Sequence, residues 1–374
     1  MIFRICLIFC LTILFSALSN ADIRVGYTSD LSKENKDYHN EVGRGLDTYL
    51  RYVNSLNGIR GQTINLIAID NANDLNLFKQ SLIRLAESDA KIIIVNPLPI
   101  YGSEHVIKQF LQSHKEVIFS KNLQYQERPA NFVSYKVDYA TEVKALIDFI
   151  KVSQNLTEAE IAIYTDDQDS SNECNATAID YLTELGAWHD RIITFHKRDL
   201  KKIGPLLESL PNTKVKGILL CASPANIPGF ISAAMPQLPH GAYFSLSNAN
   251  TANFASKMPS AYNGFIASQT VPSCKANLAA AVEFKQLFRK AYPGYKLTPA
   301  SFEGFILAKI IVAALQASNA DYTTESFLNG LNSFDTVSIG LDMPLSFAST
   351  APQQGIDRVW FSKIVDQEFI DPKI

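Results

Sequence analysis

Net charge is almost absent from this 374-residue sequence: 34 Lys and Arg stand against 37 Asp and Glu, a formal −3, and no run of Lys or Arg stands out. Neutralising a phosphate backbone takes a concentrated basic face, so a nucleic-acid partner is excluded. Cysteine is scarce as well. Of five, Cys174, Cys221 and Cys274 lie beyond residue 21, with no C-x-x-C and no His within four residues of any of them, so zinc-type ligand spacing is missing. The signatures of common enzymes are also lacking. There is no Gly-x-Ser-x-Gly elbow, no Walker lysine loop and no His-Glu-x-x-His. Gly43 and Gly45 have Thr48 where a dinucleotide loop carries its third glycine, and the six histidines (His39, His105, His114, His189, His196 and His240) form no i, i+4 pair. Neither catalysis nor a cofactor is expected. Gly (17) and Pro (16) are ordinary, which removes collagen-like and low-complexity classes. What is present is a chain 47% apolar and only 19% charged, enough for sizeable cores. At ~150 residues per domain, its length suggests two domains.

Residues 1–21 combine one positive charge (Arg4), an apolar run over 5–18, and small residues Ser19 and Ala21 at −3 and −1 of a cleavage point. This predicts a secretory signal peptide removed after Ala21, and export to the periplasm. The run falls short of the ~20 residues of a spanning helix. Cys10 follows Leu-Ile-Phe, which is wrong for a lipidation site. No later stretch is read as long and apolar enough to cross a membrane. Cys6 and Cys10 would leave with the signal; the three cysteines that remain are an odd number, so at least one stays unpaired in a monomer.

From residue 23 onward, strand and helix patterns alternate. Short apolar runs at 23–27, 63–69, 91–95, 116–119 and 132–137 read as strands, with helices between them from 40, 74 and 103. The alternation restarts with a helix over 142–152 and strands at 160–164, 191–195, 215–221, 243–246 and 264–271. Helices at 277–292, 299–318 and 324–333 follow, then a hairpin over 358–370. Two successive βαβα runs predict an α/β protein with two doubly wound parallel sheets. The late helices bring no strands of their own, so the chain is expected to return to its first lobe. The expected division is 22–136 plus 273–338 for lobe one and 137–272 plus 339–374 for lobe two, with three crossings near 134–138, 271–273 and 338–347. In a doubly wound lobe, strands one and three are neighbours. A disulfide, if one forms, would therefore join Cys174, at the helix after the first strand of lobe two, to Cys221, at the end of its third.

Several short motifs, in order along the whole chain, resemble one family. Ile23-Arg24-Val25-Gly26 is followed by Ser29-Asp30-Leu31-Ser32; Tyr38 precedes Gly43-Arg44-Gly45-Leu46; NSLNGIRGQ covers 54–62; Pro97 follows the third strand; and Ser301-Phe302-Glu303-Gly304-Phe305 opens a late helix. In this the sequence is similar to the type 1 periplasmic binding proteins, in particular the branched-chain amino acid (Leu/Ile/Val) binding branch of the receptor ligand-binding-region superfamily. The resemblance implies a Venus-flytrap fold. It also implies capture of a small solute between two lobes, and a membrane permease of the ATP-driven (ABC) type as partner. A ligand-sensing module of the same fold that does not transport is the alternative. A repressor of this fold is not expected, because the first strand begins at Ile23 and leaves no room for a DNA-binding headpiece.

The candidate ligand residues follow from the rule that doubly wound sheets bind outside the carboxyl ends of their strands, and from the family positions. They are Tyr38, as a stacking aromatic; Leu98, Ile100 and Tyr101 after the third strand; Asn122 and Gln124 after the fourth; and Asp169, Ser223 and Ser247 in lobe two. Asp166, Asp167 and Asp169 form an acidic turn after the first strand of lobe two, without the glycine and closing glutamate of a calcium loop. The loop Ser245-Leu246-Ser247-Asn248, where the family pairs the ligand ammonium, carries no acid, and Ile100 and Gln124 replace the family's hydroxyls. With no fixed positive charge among these residues, the expected ligand is a small neutral, zwitterionic or weakly cationic solute: an amide, an amino-acid derivative or a short peptide.

Overall fold

The computed structural model describes residues 22–33, 36–95, 103–121, 129–166, 169–189, 192–209, 215–259, 262–333, 339–343, 345, 347 and 355–372. The predicted signal peptide lies outside them, as do Leu98, Ile100, Tyr101, Asn122 and Gln124.

The first sheet is built from β1 (Ile23–Ser29), β2 (Ile64–Asp70), β3 (Ile92–Val95), β4 (Val117–Lys121) and β5 (Phe132–Lys136), all parallel in the order β2-β1-β3-β4-β5. Both faces are covered, which is why β3 reads Ile-Ile-Ile-Val with every residue buried. One face carries α1 (Lys36–Ser55), α9 (Ala279–Ala291), α10 (Pro299–Ala317) and α11 (Thr324–Asn332); the other carries α2 (Leu75–Glu87) and α3 (Ser103–Ser113). Local chemistry sets the helix starts. Asp74 caps α2 by accepting from the Asn76 and Leu77 amides, each at 2.9 Å. Thr298 and Ser301 form a capping box on α10, with Pro299 in its first turn.

The second sheet adds β6 (Ile161–Thr165), β7 (Thr194–His196), β8 (Gly217–Cys221), β9 (Ala242–Ser245), β10 (Ile266–Gln269), β11 (Trp360–Val365) and β12 (Glu368–Ile370), in the order β12-β11-β10-β9-β8-β6-β7. Only the pairs β10–β11 and β11–β12 are antiparallel. Its faces are covered by α4 (Tyr139–Ser153) and α5 (Asp169–Glu184) on one side, and by α6 (Ile203–Ser209), α7 (Ile227–Ala234) and α8 (Ala252–Lys257) on the other. β6 and β8 are neighbours, and Cys174 and Cys221 are joined across them with a Cα–Cα separation of 5.5 Å. Cys274 is free, and burial pushes its thiol up to about 11.

Two expectations need correction. First, α10 is long and apolar enough to cross a membrane, yet 78% of its apolar window is buried inside the protein, so it is a core helix. Second, residues after 338 do not pass straight to lobe two. Ile339, Leu341, Met343, Leu345, Phe347 and Ile356 all join the core of lobe one. The Gly355 and Ile356 amides donate to the Ser134 and Tyr135 carbonyls beside β5, at 3.0 and 3.1 Å. The chain therefore leaves lobe one between Ile356 and Trp360. The other crossings fall between Lys136 and Tyr139, where Asp138 caps α4, and between Gln269 and Val271.

Gly45 and Gly304 set the closest helix contact. A Cβ on Gly45 would lie 1.9 Å from the Ser301 carbonyl oxygen, and one on Gly304 would lie 1.9 Å from that of Val42. Only hydrogen at both positions lets the α1 and α10 backbones approach this closely. That contact brings the first turns of α1 against the start of α10, where the two lobes meet.

Candidate functional site

In each sheet the strand order reverses at one point, between β1 and β3 in lobe one and between β6 and β8 in lobe two. Ligands of such sheets bind outside the carboxyl ends of the strands at these points. In lobe two the residue beyond β6 is Asp166, which is 7% exposed. It accepts from Ser171 Oγ at 2.5 Å, the Ser223 amide at 2.8 Å and Asn226 Nδ2 at 2.7 Å. Asp166 thus closes the gap between β6 and β8 and fixes the turn that carries Ser223. Asp169 stands at the first position of α5. Ser247 follows β9, with its amide 3.2 Å and its hydroxyl 3.1 Å from the Glu142 carboxylate, which also accepts from Ser268 Oγ at 2.7 Å. Burial raises the Glu142 carboxyl above its ordinary value.

Tyr38 has an inward role. Its hydroxyl donates to Glu303 Oε2 at 2.6 Å and accepts from Lys136 Nζ at 2.9 Å. Glu303 is a hub: it also accepts from Lys136 Nζ at 2.7 Å, Tyr135 Oη at 3.0 Å and Thr270 Oγ1 at 2.8 Å. Lys136 and Thr270 sit at two of the three crossings, so the hub joins α1, α10 and two of the connections between lobes. Burial alone would raise the Glu303 carboxyl, but the Lys136 ammonium and the four donated bonds outweigh it and hold it below the ordinary range. Next to Tyr38, His39 is buried, with Nδ1 3.0 Å from the Asp30 carbonyl; burial lowers its pKa to about 4, so it is neutral.

Tyr38 and Asp37 of lobe one, with Pro224, Ala225, Asn248 and Asn253 of lobe two, line one small space of about 30 Å³ between the lobes. The structure brings Tyr38 and the Ser223 turn to the same interlobe space. Ser247, beside Asn248, is directed to Glu142 instead. A larger cavity of about 780 Å³, lined by Phe149, His240, Tyr262 and Lys363 among others, opens beside the amino ends of β9 and β10. It lies at the wrong end of the strands for a doubly wound site and contains none of the residues singled out from sequence. Among the described residues no group of three or more His, Cys, Asp or Glu is placed to hold a metal ion.

Sequence reasoning passed over Lys136, Glu142 and Glu303. Glu303 carried a signal: it is one of two charges in an otherwise apolar 19-residue helix, and such a residue needs buried partners.

The sequence matches the family model described as "Periplasmic binding protein" over residues 22–368. No curated protein sequence matches. Among solved structures, a "possible leucine/isoleucine/valine-binding protein" from Rhodopirellula baltica is similar with a TM-score of 0.83 at 17% identity, covering 95% of this chain and 97% of that one. The branched-chain amino acid transporter substrate-binding protein of Streptococcus pneumoniae, solved with isoleucine, gives 0.76 at 12% identity, covering 93% and 97%. A fatty acid ABC transporter substrate-binding protein from Thermomonospora curvata gives 0.75 at 17% identity, covering 94% and 92%. These likenesses establish the fold.

Proposed function

The chain belongs to the periplasmic binding protein family, and on that premise we propose that it is an exported solute-binding protein that captures a small polar ligand between its lobes and presents it to an ABC-type permease. The observation that carries this reading is the juxtaposition of Asp37 and Tyr38 with Pro224, Asn248 and Asn253: the carboxyl ends of two separate sheets face one space. A ligand seated there touches both lobes only when they are closed, so binding shifts the population toward closure. The function is binding, with no bond made or broken.

The ligand we propose is a small neutral, zwitterionic or weakly cationic solute, such as an amino-acid derivative, an amide or a short peptide. Leu98, Ile100, Tyr101, Asn122, Gln124, Asp169 and Ser223 are proposed to line its pocket. Isoleucine in the Streptococcus pneumoniae relative supports a zwitterion. The Thermomonospora curvata relative, named for fatty acids, marks the competing anionic class. Native mass spectrometry of protein purified without denaturation tests the proposal. A one-to-one adduct of a small solute, lost on denaturation, is expected. An adduct retained after denaturation, hence covalent, would contradict it.

A further inference from the structure

Beside α1, three hydrogen bonds pass directly from one lobe to the other. Asn253 Nδ2 donates to Asp37, the Ala252 amide donates to Glu41 Oε1 at 3.0 Å, and the Ala300 amide donates to the Asn250 carbonyl at 3.4 Å. Glu41 stands out among these groups. It is 6% exposed, and its other oxygen accepts from Thr298 Oγ1, the α10 cap, at 2.5 Å. One carboxyl group thus bridges the α10 cap of lobe one and the first residue of α8 in lobe two.

Its electrostatic surroundings are poor in compensating charge. On α1, Arg44 lies 4.0 Å away and is drawn over the Tyr295 ring, 4.6 Å from its centre, while Asp37 sits one turn back and repels. On α8, Lys257 lines the same small space as Asp37. On α10, Thr298 and Ser301 supply hydroxyls, and the nearest charge, Glu303, is taken up by Lys136.

We propose that Glu41 is a proton-linked latch between the lobes: closure takes up a proton at its carboxyl group, and opening releases it. The proposal rests on the reading of the two lobes as a hinged binding protein. Protonation costs neither contact. The Thr298 hydroxyl can reverse from donor to acceptor, and the remaining carbonyl oxygen still accepts from the Ala252 amide. What protonation removes is the cost of burying a charge with one weak partner. In agreement, burial pushes the Glu41 carboxyl from its ordinary 4.5 up to about 7, against the pull of Thr298, Ala252 and Arg44. An opened cleft returns it toward the ordinary value. The closed state therefore binds more protons between these two limits, and lowering the pH favours closure, by at most roughly thirtyfold between pH ~8.5 and ~5.5.

The test needs no ligand, so its failure is distinguishable from failure of the proposed binding function. Spin labels on cysteines replacing Leu56 in lobe one and Val152 in lobe two, both exposed, report the interlobe distance by pulsed electron resonance. The closed-to-open ratio is expected to rise by more than about threefold from pH ~8.5 to ~5.5. In Glu41→Gln, which is neutral throughout, it should stay at the low-pH value. A smaller rise in the native protein, or the same rise in Glu41→Gln, overturns the latch. Should that variant fold poorly, isotope-edited infrared spectroscopy of the native Glu41 carboxyl decides: titration near 7 supports the proposal and titration near 4.5 overturns it.

Discussion

Lys136 Nζ lies 2.7 Å from Glu303 Oε1, with both side chains almost wholly buried, and the pair ties the first interlobe crossing to a helix 167 residues further along. A buried pair contributes little net stability while intact, but removing one member strands the other charge. Glu303→Gln and Lys136→Met are each expected to cost about 3–5 kcal/mol in urea unfolding. The double variant should cost clearly less than their sum. Strict additivity would show that the two charges do not act as a unit. Because the Glu303 carboxyl is held below its ordinary 4.5 in the folded state, its contribution is present above that value and is lost as pH falls through the folded one.

Gly45→Ala and Gly304→Ala should each destabilise by about 3 kcal/mol or more, because the added methyl meets backbone oxygen rather than a movable side chain. Gly294→Ala is a useful contrast. An added Cβ there would meet nothing within 4 Å, and the cost comes only from the φ of +91°. Thermal unfolding of the three variants checks the order.

The Cys174–Cys221 bridge closes a sequence separation of 47 residues. In the chain-entropy account, reduction should lower stability by about 4 kcal/mol. Thiol titration of the denatured, unreduced chain lacking residues 1–21 should find one thiol, Cys274. Three thiols would show that the bridge does not form.

His39 is buried as the neutral form, its pKa lowered from 6.5 to about 4 by burial, with the Asp30 carbonyl pulling the other way. The unfolded chain takes up that proton first. The contribution is therefore complete above 6.5 and fades as pH falls toward 4, by on the order of 2–4 kcal/mol. Glu41 acts with the opposite sign, losing stability as pH rises through 7. In His39→Gln the acid-side loss between pH 6.5 and 4 should shrink. An unchanged pH profile would assign that loss to other groups.

The alternation of apolar runs made both sheets and most helices legible in the sequence, because a strand covered on both faces, such as Ile92–Val95, has no other home. The late return of the chain was not legible. Residues 339, 341, 343, 345 and 347 are apolar at every second position and pack on lobe one without forming a strand, so their periodicity said nothing about which lobe they join. Tyr38 was read as an aromatic that stacks on the ligand, whereas its bond to Glu303 spans 265 residues, and no local pattern encodes such a pairing. Glu41 looked like any polar residue on a surface helix. One of its two hydrogen-bond partners, the Ala252 amide of α8, belongs to the other lobe.

Calorimetric titration of the protein with leucine, neutral amides, polyamines and dicarboxylates tests the central claim most directly. The account predicts one-to-one binding by a neutral, zwitterionic or weakly cationic member, with none by the dicarboxylates, whose two charges would meet in the described interlobe space one lysine, Lys257, beside the Asp37 carboxylate. Micromolar binding of a dicarboxylate, with no heat from any of the others, would contradict it.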